Sequence, residues 1–178
     1  MAGEANVNAV VTVRLARAED ADEIGRIQVE TWRAAYTGLM PDAAVAGFDV
    51  ESRQRMWREG LGRPPRPGSA TFVVEDTGEV VGFASVGASR DEDAEQEAEL
   101  YAIYLHPSRW GTGIGRALLQ RAEESMRSSG FRRALLWVLD GNERAIRFYE
   151  AAGWEQDGRK VEEFQGATVN ELGYRKDL

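Results

Sequence analysis

The chain has 178 residues, 43% of them hydrophobic, and carries Lys+Arg 22 against Asp+Glu 30 for a net charge of -8. That suggests one domain with room for a full core, and it argues against non-specific binding to nucleic acid or anionic lipid. With Cys 0 and His 1, disulfides, thiolate metal centres, multi-histidine zinc sites and a cysteine nucleophile are excluded, and no metal is expected.

Residues 1–10 read as a loose tail before one domain over 11–178. Met1 to Ala9 has neither the basic nor the apolar region of a signal peptide, and no apolar run approaches the ~18 residues of a membrane span, so a soluble cytoplasmic protein is expected. Val11 to Ala16 alternates apolar and polar residues, as a half-buried strand does. Glu19 or Asp20 is placed to cap a helix whose apolar positions are Ile24, Ile27, Trp32 and Tyr36. Leu39-Met-Pro-Asp42 breaks that helix, and Asp42 is placed to cap another. A short helix follows over Glu51–Gly60, with Met56 and Trp57 as its apolar residues. Gly62 to Ser69 is a loop of Pro, Gly and Arg.

Ala70–Glu75 and Val80–Gly87 form a hairpin around a glycine turn, and Asp91 to Glu97 is an acidic loop. Leu100–Leu105 is a strand stopped by Pro107. Ile114 to Ser129 is the clearest helix, with Ile114, Ala117, Leu118, Ala122 and Met126 on one face and Gly130 at C′. Ala134–Leu139 is apolar enough for a strand buried on both faces. Asn142 caps a last helix through Ala152, which Gly153 ends. Trp154 to Leu178 holds two strands around Gln165-Gly166. This order predicts an α/β fold in which helices pack on a mixed sheet. Leu100–Leu105 and Ala134–Leu139 run parallel across one βαβ crossover.

The segment from Leu105 to Arg116 passes from a strand end into a helix through Gly111, Gly113 and Gly115. Glycines let backbone approach a ligand and take positive φ. The first helical N–H groups have no internal partner and carry the positive end of the helix dipole. Together they suit a phosphate, flanked here by Arg109 and Arg116. A P-loop is excluded, because no Gly-Lys-Ser/Thr follows. A dinucleotide fingerprint fits poorly, since its third glycine falls on Arg116 or Leu118, yet Asp140 at the end of the next strand keeps a nucleotide-binding protein as an alternative.

The loop resembles the acyl-CoA loop of the GNAT superfamily of N-acetyltransferases, Gln/Arg-x-x-Gly-x-Gly/Ala. Gly113-Ile-Gly115 match its glycines, while Trp110 stands at the Gln/Arg position with Arg109 one residue earlier. Asn142-Glu-Arg-Ala-Ile-Arg-Phe-Tyr-Glu-Ala-Ala-Gly-Trp154 resembles the family's Asn-x-x-Ala-x-x-Phe-Tyr-x-x-x-Gly-Phe/Trp. Thr31 to Pro41 and Glu171 to Leu178 resemble its first helix with following loop and its last strand. The resemblance implies a GNAT-like fold of α+β type. It is a mixed, mostly antiparallel sheet of about seven strands, flanked by helices, with one parallel crossover.

It also implies acetyl-CoA as acyl donor and direct attack by a primary amine in a ternary complex. The acceptor is a small metabolite, an amino acid, an aminoglycoside-like molecule or a peptide α-amine. The loop residues Arg109, Trp110, Gly111, Thr112, Gly113, Ile114, Gly115 and Arg116 are then cofactor-binding, as is Asn142, which also serves as an N-cap. The strand at Leu100–Leu105 is expected to splay from Ala134–Leu139, so that backbone of Ile103, Tyr104 and Leu105 bonds the pantetheine arm. Tyr149 is the expected proton donor to the departing thiolate, because a phenol of pKa ~10 is protonated at neutral pH.

Glu99 is either the base that faces the acceptor or the solvated end of the acidic run, and a water chain is a third route for the proton. Trp32 and Tyr36 either line the acceptor site or are core. His106 is read as structural or surface. An exposed edge or the last strands offer a homodimer surface. A non-catalytic acyl-CoA-binding module on the same fold is the alternative function.

Overall fold

The computed structural model describes residues 11–178, so the tail read at 1–10 lies outside the described residues. The strands are β1 (Val11–Leu15), β2 (Ala70–Asp76), β3 (Glu79–Ala88), β4 (Ala98–Leu105), β5 (Arg133–Leu139), β6 (Glu155–Phe164) and β7 (Ala167–Asp177). They form one seven-stranded sheet in the order β1-β2-β3-β4-β5-β7-β6. Every neighbouring pair is antiparallel except β4 and β5, which are parallel as the crossover requires. Both tight hairpins turn on two residues with positive φ, Thr77 (53°) with Gly78 (87°) and Gln165 (51°) with Gly166 (75°). That turn matches the right-handed twist of the strands it joins.

The helices are α1 (Ala21–Tyr36), α2 (Asp42–Ala46), α3 (Val50–Leu61), α4 (Ile114–Ser128) and α5 (Glu143–Ala151). None of them is long and apolar enough to cross a membrane. The caps differ from the sequence reading at three places. Asp20 sits at the α1 N-cap without capping it, because its carboxylate accepts instead from Arg14 (2.7 and 2.9 Å) and from the Arg17 N–H (2.7 Å). Asp42 lies in the first turn of α2 rather than at its cap. Asp49, not read as a cap, accepts from Ser52 N–H at 2.8 Å and starts α3 earlier than Glu51. At the end of α4, Gly130 (φ 94°) behaves as expected. The Phe131 and Gly130 N–H groups return to the Met126 and Arg127 carbonyls, the two bonds of a Schellman motif.

Side-chain alternation divides the core between the two faces of the sheet. On β2, Phe72 and Val74 pack with Leu118, Leu119 and Met126 of α4, whereas Val73 packs with Ile24 and Ile27 of α1. A third group joins Trp32 of α1 to Phe48 and Val169. Helix α3 has no fully buried residue. Met56 is 41% exposed, while Trp57 meets the Phe83 ring edge-on at 5.0 Å. Gly25 admits α3 this closely, since a Cβ there would stand 2.7 Å from the Gln54 backbone nitrogen.

The feature that positions the site is a defect in the sheet. Between β3 and β4 the register jumps from Ser85↔Ala102 to Val86↔Leu100, which leaves Tyr101 as the extra residue of a bulge. A bulge bends its strand and increases local twist. Beyond this point β4 leaves β5, and the two strands pair only at Ala98↔Ala134 and Glu99↔Leu135.

Candidate active site

The opening between β4 and β5 is a cleft of about 510 Å³. The strand segment Leu100 to Leu105 forms one wall, with Trp137 and Val138 of β5 opposite. Thr31, Ala35 and Tyr36 of α1 close it on one face of the sheet, and Ala145, Phe148 and Tyr149 of α5 on the other. Leu105 lines the cleft with its carbonyl already engaged, by Thr31 Oγ1 at 3.2 Å and Trp110 Nε1 at 2.8 Å.

One mouth of the cleft is the glycine loop. Gly111 (φ 75°) and Gly113 (φ 86°) take the left-handed conformation that side chains disfavour, and Gly113 is the residue before α4. Among the described residues, the backbone N–H groups of Gly111 to Gly115 have no protein acceptor. Unpaired donors converging at a helix N-terminus make an anion site. Three arginines, Arg116, Arg144 and Arg147, add positive charge to the same wall.

Deeper in the cleft stand three phenols, Tyr36, Tyr104 and Tyr149. Tyr149 is only 8% exposed. Burial raises its pKa above the ordinary tyrosine value, and the neighbouring Tyr36 phenol adds to the rise. Burial also raises Tyr104, and ionising it beside the Tyr36 and Tyr149 phenols would crowd negative charge, which adds to the rise. For Tyr36 burial again dominates, partly offset by Asn142 and Tyr104 beside its hydroxyl. All three phenols therefore stay protonated at neutral pH. Asn142 lines the cleft while its Oδ1 accepts from Ala145 N–H at 3.3 Å as the α5 N-cap, which leaves its amide N–H groups for the Tyr36 hydroxyl and the cleft.

Several residues singled out in the sequence are not brought to the cleft. Glu99 is 2% exposed and does not line the cleft. It is ion-paired with Arg90 and accepts the Arg90 backbone N–H at 2.9 Å. Arg109 pairs with Asp76 at 2.8 Å, because the loop folds back on the β2–β3 hairpin. Thr112 turns its hydroxyl to the Arg109 carbonyl and Ile114 packs its side chain in the core, so these two meet the mouth of the cleft with backbone N–H alone. Trp32 is core as well, stacked on Phe48 at 4.4 Å and tilted against Phe164. His106 is structural, with Nδ1 on Ser108 Oγ (2.7 Å) and Nε2 on Glu30 (3.0 Å).

The cleft also contains residues that pattern alone did not assign. Tyr101 is one, since a bulge leaves no mark on an apolar strand. Trp137 is another, held by Asp91 on its indole N–H (3.0 Å) with Lys160 Nζ 4.4 Å from its ring centroid. Arg144 and Arg147 stood inside the Asn142 motif, and their place in the first turns of a helix facing the loop was the available signal.

A mostly antiparallel sheet parted at its one parallel pair, with a glycine loop and helix N-terminus at the mouth of the gap, is an α/β architecture with a built ligand cleft. The acetyltransferase (GNAT) family model matches residues 26–154. The uncharacterized N-acetyltransferase YuaI of Bacillus subtilis (strain 168) is 35% identical over 132 residues, 74% of this chain and 73% of that protein. The L-amino acid N-acyltransferase MnaT of Escherichia coli (strain K12) is 36% identical over 63 residues, 35% of this chain and 37% of that protein. The structure of yncA, a putative acetyltransferase from Salmonella typhimurium with its cofactor acetyl-CoA, superimposes with a TM-score of 0.72 at 21% identity, covering 96% of this chain and 95% of that one. The chain belongs to the acetyltransferase (GNAT) family.

Proposed function

We propose that the protein transfers the acetyl group of acetyl-CoA to a primary amine by direct attack in a ternary complex. The observation that carries this reading is the row of unpaired N–H groups, Gly111 to Gly115, at the mouth of a cleft made by the parting of β4 and β5. The loop takes the diphosphate of the donor. The pantetheine arm lies in the gap, where the free edge of β4 at Ile103 and Tyr104 replaces the missing strand contacts.

The thioester carbonyl then stands among Tyr36, Tyr104 and Tyr149. The amine nitrogen forms a bond to the acetyl carbon, the carbon–sulfur bond breaks, and the electron pair leaves on sulfur. Tyr149, kept protonated by burial, gives its proton to that thiolate and recovers one from solvent. The proton lost by the amine leaves through water in the open cleft, because Glu99 is engaged by Arg90 away from it. Leu100, Tyr101 and Trp137 wall the end opposite the loop, which is the place for the acceptor. Likeness to an L-amino acid N-acyltransferase makes L-amino acids the first acceptors to try.

The test is release of free thiol from acetyl-CoA with a panel of amino acids, polyamines and peptide amines. Turnover that requires one of these amines is expected. Binding of acetyl-CoA without turnover on any of them would instead favour a non-catalytic binding module.

A further inference from the structure

Arg144 sits where helix physics disfavours it. It follows Glu143 in the first turn of α5, where the positive end of the helix dipole repels a cation. Local rules broken in this way concentrate at functional sites. The guanidinium carbon of Arg144 stands 3.4 Å from the centroid of the Trp110 ring. Trp110 is itself fixed, since its Nε1 donates to the Leu105 carbonyl. A guanidinium stacked on an indole keeps its in-plane N–H donors for another acceptor.

The other arginines of the cleft wall have protein partners. Arg116 donates to the Ala151 carbonyl at 3.0 Å, and Arg147 pairs with Glu143 at 3.8 Å. Among the described residues, Arg144 has no acid and no hydrogen-bond acceptor, only the Trp110 face. It shares the cleft wall with Gly111 and Gly113, whose N–H groups also lack acceptors. The loop, for its part, carries Trp110 where the related motif has a Gln or Arg side chain.

We infer that Arg144, mounted on Trp110, is the side chain that binds the donor's diphosphate. This rests on the acyl-CoA reading of the cleft. The indole serves as the platform and the guanidinium as the bidentate donor.

The experiment is calorimetric titration of the wild type, Arg144→Ala and Arg144→Lys with coenzyme A, 3′-dephospho-coenzyme A and pantetheine. Arg144→Ala is expected to weaken both nucleotide ligands by about tenfold or more, the worth of a charge-assisted pair. Pantetheine binding stays unchanged, and Arg144→Lys recovers part of the loss. Unaltered coenzyme A affinity in Arg144→Ala overturns the inference. So does an equal loss for pantetheine, which marks a merely structural role, or a loss confined to coenzyme A, which moves the contact to the 3′-phosphate. Failure of the wild type to bind coenzyme A overturns the reading of the cleft itself and is seen separately.

Discussion

Arg90 closes over the carboxylate of Glu99 at the start of β4, with both its guanidinium and its backbone N–H on the acid. The same Arg90 stacks on the Tyr101 ring at 4.7 Å, so the pair pins the bulge that opens the cleft. In the proposed mechanism Glu99 is a structural acid and not the base. Glu99→Gln is expected to lower stability by about 1–3 kcal/mol, the range for a buried hydrogen-bonded group losing its partner. It is expected to leave turnover within about threefold, since removing a true general base costs about 10²-fold or more. Thermal melting and a pH–rate profile of the variant check this. A hundredfold loss of turnover restores Glu99 as the base.

Tyr149→Phe removes the proposed thiolate donor and leaves the ring in place. Turnover is expected to fall by about 10²-fold, with acetyl-CoA KM within about twofold, because only the leaving step loses a donor. In the wild type no loss of turnover at about pH 10, the ordinary tyrosine value, is expected from this group, since burial holds its pKa higher. Steady-state kinetics across that range test both statements.

Gly113 and Gly130 form a matched pair for testing the loop. Both take positive φ (86° and 94°), and at both a Cβ would meet nothing within 4 Å. Alanine at either costs the same left-handed strain, about 1–2 kcal/mol. With the donor's diphosphate on the loop as proposed, only the Gly113 methyl would intrude on it. Similar losses in melting temperature are expected from Gly113→Ala and Gly130→Ala, with coenzyme A affinity lost only in the former. Equal affinities in the two would remove the loop from donor binding.

The three phenols of the cleft also set a stability limit on the alkaline side. Burial, the largest cause in each, raises the pKa of Tyr36, Tyr104 and Tyr149 above the unfolded value. A pKa raised on folding gives stability that is complete below the unfolded pKa of about 10 and declines above it, as the unfolded chain alone loses protons. Melting temperature is expected to fall above about pH 10 through these groups. Tyr104→Phe is expected to flatten that decline.

The fold was legible in the sequence wherever periodicity or a turn signal was strong. Gly130, Asn142 and Gln165-Gly166 ended or began elements as read, and the parallel crossover followed from strand–helix–strand order. The strand order at the far edge was not legible, because β7 inserts between β5 and β6 by long-range pairing. Spacing alone singled out Gly111, Gly113, Gly115 and Tyr149, and the folded chain brings all four to the lining of one cleft. The partners of Glu99 and Arg109 were not legible, because a charge in sequence does not disclose what it pairs with. Each is consumed by an ion pair, with Arg90 and Asp76, that only the folded chain brings together. Trp32 and Tyr36 are four residues apart on α1, yet only Tyr36 reaches the cleft while Trp32 packs on Phe48.

The central claim is that the gap between β4 and β5 is an acyl-CoA site. Equilibrium dialysis of the purified protein against radiolabelled acetyl-CoA, with NAD as competitor, tests it most directly. The expected result is saturable binding of one acetyl-CoA per chain that NAD does not displace. No retained label, or label displaced by NAD, would contradict the account, the second result pointing to a nucleotide-binding protein.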